Sequence, residues 1–352
     1  MTTAAPATSA DANDEHDQQI QAVFRRIAIT FGELNPTGTL GFDYITEGAA
    51  NVVWKVRFHD SNLSQHDSSI VLRMRKDIAS TVPMQSLKRE FEDRIAPLFA
   101  FDPGLLLPVD LVLLCESVVE ELNGQLRQLE ASGTRKILRR GMYHPSFEIE
   151  PYAMIMPNLG HGPGSVVEFK PKWLVQSPSA PRHAQTCRTC ALNARRRAKG
   201  GTGRGDSGFC PFDLLSRDKA ILGRALRQIW SDKTSLPEFV AAFRSKVQPA
   251  LRQLQQLQRS HNDVGLDDFQ HPAGKDFSVA MALRDCSLVL RISETTQSSK
   301  LDIPSVKLLD LDLKDPGGGK LTKWTSMESE LIEEGWYTTQ EDPSMNCAMA
   351  FQ

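Results

Sequence analysis

Residues 167–173 of the chain read Val167-Glu168-Phe169-Lys170-Pro171-Lys172-Trp173, which places two lysines directly after a strand-like apolar pattern. Pro171 fixes its own φ and disfavours helical geometry at Lys170. In an extended segment, residues two apart point the same way, so Lys170 and Lys172 are predicted to present their ammonium groups to one face. Paired cations suit a ligand that carries several phosphates. A solvated surface turn is the alternative interpretation.

The composition is that of a soluble globular protein. The chain has 352 residues, of which 40% are apolar and 24% charged, and this length has room for two lobes with separate cores. Because the formal net charge is only −2, overall basicity cannot attract a polyanion. Any such affinity must come from local clusters of Lys and Arg.

Two segments bear on the cellular location. Residues 1–18 are rich in Ala, Thr, Ser and Asp, so they are predicted to be disordered and are not a secretory signal. The most apolar stretch, residues 105–114, is short and interrupted by Pro and Asp, which predicts a buried segment and no membrane partner. We therefore expect an intracellular protein whose six cysteines are reduced.

Hydrophobic periodicity and turn signals predict a two-lobe α+β protein with a sheet-containing N-lobe and a larger C-lobe. The predicted strands cover residues 44–56 (interrupted by a turn), 70–75, 152–156, 278–292 and 305–313. The predicted helices cover residues 20–31, 83–99, 111–129, 187–199, 211–230, 236–260 and 321–334. The predicted domains are a disordered segment 1–18, an N-lobe 19–157, a C-lobe 158–340 and a tail 341–352.

A tight turn of small residues, Glu47-Gly48-Ala49-Ala50-Asn51, joins the first two predicted strands. Small residues let backbone N–H groups approach phosphate oxygens closely, so the turn suits nucleotide phosphates. Arg73 on the next strand would bring a cation to those phosphates, as the strand lysine does in protein kinases. The alternative is a plain hairpin beside a solvated arginine.

Carboxylates and leucines alternate in the run Asp310-Leu311-Asp312-Leu313-Lys314. On a strand this alternation would bury the leucines and aim the charged groups at the other face. Neighbouring carboxylates need a cation between them, and Mg²⁺ takes one or two carboxylates plus phosphate oxygens. We expect Asp285 and Asp310 to share this metal. An edge strand with charged outer residues is the alternative.

Basic side chains crowd a predicted helix near residue 190, where Arg188, Arg195 and Lys199 share roughly one side. A helix that binds phosphates is one interpretation. A nuclear localisation patch, a nucleic-acid contact and a solvated face are the others.

The same region contains His183, Cys187, Cys190 and Cys210. One Cys-x-x-Cys pair with scattered partners is thin support for structural zinc, so we expect free thiols, with structural zinc as the alternative. The chain has no Gly-x-x-x-x-Gly-Lys-Ser/Thr loop, His-Arg-Asp motif or Asp-Phe-Gly motif, which argues against P-loop ATPases and ordinary protein kinases.

Taken in order, these segments resemble the inositol-pentakisphosphate 2-kinases, most of all their fungal branch. The matching segments are Glu47–Asn51, Val71–Arg73, Glu168–Lys172, Cys187–Cys190, Cys210–Leu214, Arg284–Ser287 and Asp310–Lys314. The Glu-x-Lys-Pro-Lys and Asp-Leu-Asp-Leu-Lys runs are the specific ones. The resemblance implies two lobes distantly like those of protein kinases. It also implies transfer of the ATP γ-phosphate to the axial 2-hydroxyl of inositol pentakisphosphate, giving inositol hexakisphosphate.

The resemblance also implies roles for individual residues. ATP would be bound by Gly48, Ala49, Asn51, Arg73, Met156 and Asn158. Substrate phosphates would be bound by Lys170, Lys172, Arg188, Arg196 and Lys314. Asp285 would orient the hydroxyl or act as base and would share Mg²⁺ with Asp310.

The chain departs from the family pattern at three places. Leu192 stands where the family often has His, and residues 232–235 replace an Asn-Asn-x-Arg run. Residues 315–320 replace a Pro and nearby basic and Tyr positions, so we expect Lys320 and Lys323 to take over phosphate binding.

Two other functions stay open on the sequence: a non-catalytic polyanion-binding regulator with a decayed kinase site, and a kinase for another phosphorylated small molecule. We expect a monomer without a stable nucleic-acid partner, resident in the nucleus, with the cytoplasm as the alternative.

Overall fold

The computed structural model describes residues 40–58, 70–200, 208–267, 276–294, 301–314, 320–338 and 347–351. The predictions for residues 1–18 and 20–31, and for most of the tail, lie outside these ranges. Helices and two antiparallel sheets make up the fold, which confirms the α+β prediction. The chain divides into two compact units, one formed by Met1–Arg89 with Pro108–Gly162 and the other by Glu90–Leu107 with Pro163–Gln352.

The first unit contains a five-stranded antiparallel sheet in the order β1-β2-β3-β5-β4. Its strands are β1 (Leu40–Glu47), β2 (Asn51–Phe58), β3 (Ile70–Arg75), β4 (Asp110–Leu113) and β5 (Tyr152–Pro157). Alternation decides which face is covered, because Val52, Trp54 and Val56 are each fully buried on one face of β2. That face packs against helix α2 (Glu116–Ala131). Helix α1 (Met84–Glu90) follows β3.

Residues 111–129 were predicted as one helix, and the first part of that prediction is wrong. Leu111–Leu113 belong to β4, which pairs with β5, and α2 begins only at Glu116. Leucine and valine suit a helix or a buried strand equally well over so short a run.

The second unit contains a three-stranded antiparallel sheet in the order β6-β7-β8. The strands are β6 (Ser165–Phe169), β7 (Ser287–Glu294) and β8 (Leu301–Leu309). Its helices are α3 (Arg188–Ala198), α4 (Lys219–Leu226), α5 (Leu236–Lys246), α6 (Gln248–Ser260), α7 (Phe277–Asp285) and α8 (Lys320–Glu333). The apolar faces of α4 to α7 form one core with the sheet. Among the described residues, no helix is both long and apolar enough to span a bilayer.

Three predicted elements of the second unit are divided differently from the prediction. Residues 211–230 contain a 3-10 turn, Pro211–Leu215, and the separate helix α4, while residues 236–260 form α5 and α6. Residues 278–292 are not one strand, because α7 ends at Asp285 before β7 begins at Ser287.

Segment Glu90–Leu107 belongs to the second unit, although the predicted N-lobe includes it. The reason is packing, since the buried Ile95, Phe99 and Leu105 join the core of the second unit. The lobe boundaries at residues 157 and 340 stay predictions.

Candidate active site

Three strand ends meet at one edge of the second unit's sheet. Phe169 at the end of β6 pairs with Leu288, and Leu309 at the end of β8 pairs with Ser287 at the start of β7. The residues just beyond these ends are Lys170, Asp285 and Asp310. The register therefore brings together side chains that lie more than a hundred positions apart in the sequence.

Ammonium groups and carboxylates alternate in this cluster. Lys170 Nζ lies 2.8 Å from Asp310 Oδ2 and 3.3 Å from Asp285 Oδ2, and it donates to the Asp285 carbonyl oxygen at 2.7 Å. Lys172 Nζ lies 3.0 Å from Asp285 Oδ1, and Lys314 Nζ lies 3.1 Å from Asp310 Oδ1. Three ammonium groups thus face two carboxylates, which leaves a surplus of positive charge for an anionic ligand.

Two members of the cluster have a left-handed backbone. Lys172 has φ 62° and Asp310 has φ 58°, and no other non-glycine residue among those described has a positive φ. This conformation costs an L-residue about 1–2 kcal/mol. Residues held in such conformations concentrate at functional sites, where the surrounding structure enforces them.

These conformations correct two predictions. The segment around Lys172 is not extended, yet Lys170 and Lys172 still face the same carboxylate, Asp285. The run 310–314 is not part of a strand, since β8 ends at Leu309. The chain leaves the sheet at the left-handed Asp310. Four residues later, the Lys314 ammonium donates a hydrogen bond to the Asp310 carboxylate.

The cluster keeps its carboxylates ionised. Partial burial would raise the pKa of Asp310, but the Lys314 ammonium and the hydrogen bond from Lys170 outweigh it and hold that pKa below its usual range. Burial likewise would raise the pKa of Asp285, and Lys172 and Lys170 lower it. Although burial disfavours its charged form, the pKa of Lys170 is raised by Asp310 and Asp285.

The basic residues of α3 have carboxylate partners on α8. Arg188 is 5% exposed, and its Nε donates to the buried Glu328 at 2.7 Å. Arg195 pairs with Glu330, and Lys199 Nζ lies 2.7 Å from Glu334 Oε1. The side of α3 that was predicted to bind phosphates is thus ion-paired with carboxylates on α8 and directly after it. The predicted contact of Arg188 with a substrate phosphate stays a prediction.

The other predicted substrate residues lie on helices. Arg196 is half-buried near the end of α3. Leu192, in the middle of the same helix, is buried. Lys320 is the first residue of α8, and Lys323 is exposed one turn later. Lys323 is not among the residues that contact the carboxylates of Asp285 and Asp310 in the described part of the chain.

Within the first unit, three of the six residues predicted to bind ATP share one sheet face. Cross-strand register pairs Val53 with Arg73 and Val71 with Met156, so Asn51, Arg73 and Met156 lie on the face opposite α2. In the amide orientation that satisfies both groups, Asn51 accepts from Arg73 Nη2 at 2.7 Å. Asn158 follows β5, and its Oδ1 accepts from Gly160 N at 3.0 Å.

A family model for inositol-pentakisphosphate 2-kinase matches residues 44–330. The chain belongs to this family. A Yarrowia lipolytica protein named inositol-pentakisphosphate 2-kinase is 29% identical to it over 222 residues, which cover 57% of this chain and 69% of that protein. Family membership makes the chain a transferase of the kinase type that acts on an inositol phosphate.

The range that matches the inositol-pentakisphosphate 2-kinase family includes every residue predicted for the site, from Gly48 to Lys323. It excludes the last turn of the described chain, residues 347–351, although this turn joins the second unit through Cys347.

The turn before Asn51 rests on buried charges that were not predicted from the sequence. Lys76 is fully buried, and its Nζ lies 2.6 Å from Glu47 Oε2 and donates to the Gly48 carbonyl oxygen at 2.8 Å. Its backbone N–H donates to Ala50 at 2.8 Å. Arg135 contacts both Glu47 oxygens at 3.0 Å. Lys76 therefore holds the turn from both ends. The sequence signal that could have found Lys76 is its position directly after the predicted strand 70–75.

Four buried cysteines form a cluster in the second unit. The sulfurs of Cys187, Cys190, Cys210 and Cys347 all lie within 4.8 Å of one another. The Sγ–Sγ distance is 3.9 Å from Cys187 to Cys210 and 3.7 Å from Cys210 to Cys347. His183, which was predicted as a candidate ligand, does not belong to the cluster. Its fourth member, Cys347, comes from a segment that the sequence analysis treated as a tail.

Proposed function

We propose that the lysine–carboxylate cluster at the sheet edge is where the 2-hydroxyl of inositol pentakisphosphate receives the γ-phosphate of ATP, giving inositol hexakisphosphate. The observation that carries this proposal is the convergence of Lys170, Lys172 and Lys314 on Asp285 and Asp310. Each substrate phosphate needs a charge-assisted partner, and phosphoryl transfer depends on positioning and charge neutralisation more than on covalent chemistry.

In this proposal the three lysines bind substrate phosphates. Their ammonium groups already neutralise the carboxylates, so the polar atoms of the cluster are paired before any ligand arrives. A polyphosphate offers stronger partners than a single carboxylate, because each phosphate carries more charge and more acceptor oxygens. Asp285, once released by Lys172, would orient the acceptor hydroxyl or accept its proton.

The donor set fits Mg²⁺. Asp285 and Asp310 supply carboxylate oxygens, the hard ligands that Mg²⁺ takes, and the Lys170 ammonium contacts both of them. These two residues would hold the ion. When bound, Mg²⁺ would neutralise charge on the phosphates during transfer.

We propose that the turn Gly48–Asn51 and Arg73 bind the ATP phosphates, and that backbone near Met156 and Asn158 meets adenine. Support comes from the shared sheet face and from the pairing of Asn51 with Arg73. On this proposal the two units act as the N-lobe and C-lobe of a distantly protein-kinase-like enzyme.

The direct experiment incubates purified protein with inositol pentakisphosphate, ATP and Mg²⁺ and separates the products by chromatography. Inositol hexakisphosphate is the expected product. Binding of the pentakisphosphate without turnover would contradict the proposal, and so would transfer to a different hydroxyl.

Replacing Lys172 with alanine is expected to raise the KM for inositol pentakisphosphate about 10- to 100-fold, the loss of one charge-assisted hydrogen bond. The KM for ATP should not change. Lys219→Ala removes an exposed lysine at the start of α4 in the same unit and serves as the matched control. An unchanged KM in the Lys172 variant would show that this lysine does not bind the substrate.

Replacing Lys76 with methionine is expected to raise the KM for ATP several-fold while the KM for inositol pentakisphosphate stays constant. The variant breaks a buried ion pair, which costs about 3–5 kcal/mol of stability, and it releases the Gly48 carbonyl. Glu130→Gln is the control, because Glu130 bonds Arg135 and Tyr143 at the far end of the same network. If both variants raise the KM for ATP equally, the effect comes from a general loss of stability, and Lys76 has no specific role in positioning the turn.

We also propose structural zinc in the cluster of Cys187, Cys190, Cys210 and Cys347. Tetrahedral zinc with Zn–S bonds of about 2.3 Å places its sulfurs about 3.8 Å apart. The observed Sγ–Sγ distances of 3.7 and 3.9 Å fit that geometry. Four buried thiols whose sulfurs all lie within 4.8 Å of one another also fit a closed structural site.

Nuclear residence, a monomeric state and the lack of membrane or nucleic-acid partners stay predictions. The ion pairs between α3 and α8 reduce the support that the basic cluster lends to nuclear targeting, since Arg188, Arg195 and Lys199 are engaged within the fold.

A further inference from the structure

The buried side chain of Gln258 connects the two backbone segments that carry Lys172 and Asp285. Gln258 is 1% exposed on α6. Its Nε2 donates to the Lys172 carbonyl oxygen and to the Leu283 carbonyl oxygen, each at 2.9 Å. Its Oε1 accepts from Leu174 N at 2.7 Å. One amide therefore uses both donors and its acceptor on the backbone beside the candidate active site.

These bonds fix the backbone that directly follows the left-handed Lys172. The amide binds the Lys172 carbonyl oxygen before Trp173 and the Leu174 N–H after it. Neither of the two peptide groups that flank Trp173 can therefore rotate without breaking a buried hydrogen bond. A lysine at φ 62° has an intrinsic preference for other conformations. The same residue thus has its carbonyl oxygen bound by a buried amide and its ammonium group on Asp285.

An aromatic stack ties the same two segments a second time. Trp173 follows Lys172, and the guanidinium of Arg284, which precedes Asp285, lies 4.1 Å from the centre of its ring. Arg188 Cζ lies 4.4 Å from the same ring centre. Arg284 is 1% exposed and donates to the Val264 carbonyl oxygen at 3.1 Å. The spacing between Lys172 and Asp285 is thus set by buried groups that do not line the cluster themselves.

We propose that Gln258 is a positioning residue for the substrate-phosphate contact of Lys172. The inference rests on the proposed function, in which Lys172 binds inositol pentakisphosphate. Gln258 acts on the ligand only through the backbone of Lys172, which it keeps left-handed. Its removal lets the segment relax and points the ammonium away from the position that the substrate phosphate occupies.

The test compares two glutamines on the same helix. Gln258→Met keeps the length of the side chain and removes its hydrogen bonds. Gln248→Met is the matched control, because Gln248 is 5% exposed on α6 and its Nε2 also donates to two carbonyl oxygens, those of Leu214 and Ser216. Calorimetric Kd values for inositol pentakisphosphate, KM values for ATP and melting temperatures are measured for each variant.

Gln258→Met is expected to raise the Kd for inositol pentakisphosphate about tenfold or more, since small misplacements of a binding group are costly. The KM for ATP should not change. Gln248→Met should lower the melting temperature but keep the wild-type Kd. A Kd within twofold of wild type in Gln258→Met, or an equal rise in Gln248→Met, would overturn the inference.

A double-mutant cycle separates this inference from the proposed function. If Gln258 acts through Lys172, then Gln258→Met should add little to the Kd already raised by Lys172→Ala. Additive effects overturn the positioning role while leaving Lys172 as a substrate contact. No effect of Lys172→Ala overturns the substrate assignment and, with it, this inference. If Gln258→Met does not fold, Gln258→Glu takes its place, because it keeps the shape and the acceptor and loses both donors.

Discussion

Replacing Asp310 with alanine is expected to lower kcat by at least about 10³-fold, the scale of a single charge-stabilising group in phosphoryl transfer. Asp310 is one of the two carboxylates at the sheet edge, and its pKa is held low by Lys314 and Lys170 against the effect of burial. It is therefore ionised at neutral pH and available to a divalent cation. A steady-state assay with saturating ATP, Mg²⁺ and inositol pentakisphosphate measures this effect.

The same variant should bind inositol pentakisphosphate as well as the wild type, or more tightly. Asp310 Oδ2 lies 2.8 Å from Lys170 Nζ and Oδ1 lies 3.1 Å from Lys314 Nζ. Loss of the carboxylate frees both ammonium groups for substrate phosphates and removes a like charge from the site. Calorimetry without nucleotide measures this Kd. A large loss of kcat without a loss of affinity distinguishes a metal-binding carboxylate from a general loss of fold, which would lower both kcat and affinity.

Asp310→Asn separates charge from backbone conformation. Asp310 has φ 58°, and asparagine tolerates the left-handed region, whereas alanine does not. Both variants should therefore be inactive if the carboxylate charge matters. An active Asn variant beside an inactive Ala variant would assign the effect to the backbone instead. Asp302→Ala, on strand β8 away from the cluster, is the control carboxylate and should keep wild-type kcat.

The sequence predicts four of the five strands of the first unit, all except β4, and the charged runs of the second unit, because both depend on local pattern. Strand β3 was predicted at Ile70–Arg75, where the structure has it, from the alternation of apolar and basic residues. Lys170, Lys172, Asp285, Asp310 and Lys314, all predicted for the site, meet at one sheet edge. Periodicity and charge are properties of neighbouring residues, so they can be read without the fold.

The local pattern failed where backbone conformation or distant partners decide the outcome. The alternation in residues 310–314 predicts a strand, but a left-handed Asp310 ends β8 first. The local pattern does not indicate that the cations of α3 form ion pairs with Glu328, Glu330 and Glu334. Their predicted contacts with phosphates stay a prediction. The sequence contains no signal that pairs these two helices. The buried position of Gln258 could not be predicted either, because glutamine on a helix usually faces solvent.

Replacing Cys210 with serine is expected to remove zinc from the protein and to lower its melting temperature by about 10 °C or more. Structural zinc contributes about 10–16 kcal/mol of apparent binding free energy in small domains, and each kcal/mol shifts the midpoint by about 2–4 °C in a unit of this size. Cys210 is the choice because its sulfur is close to those of both Cys187 and Cys347. Metal analysis of wild-type protein should find about one zinc per chain.

The control for this experiment is another buried thiol in the same unit. Cys286→Ser changes a residue that is 1% exposed and is not part of the cluster, so it should keep its zinc. Both variants bury a hydroxyl in place of a thiol, and the difference between their melting temperatures isolates the metal. A strong chelator should destabilise the wild type and Cys286→Ser but have no further effect on Cys210→Ser.

The cluster also determines which part of the fold the metal supports. Cys187 and Cys190 lie at the start of α3, Cys210 precedes the turn Pro211–Leu215, and Cys347 brings the last described residues to them. Zinc bound by all four thiols would link these three segments of the chain. Zinc loss should therefore increase hydrogen exchange first in α3 and in residues 347–351, while the first unit keeps its protection. Wild-type protein that contains no zinc, or that melts at the same temperature with and without the chelator, would show that the four cysteines pack as thiols.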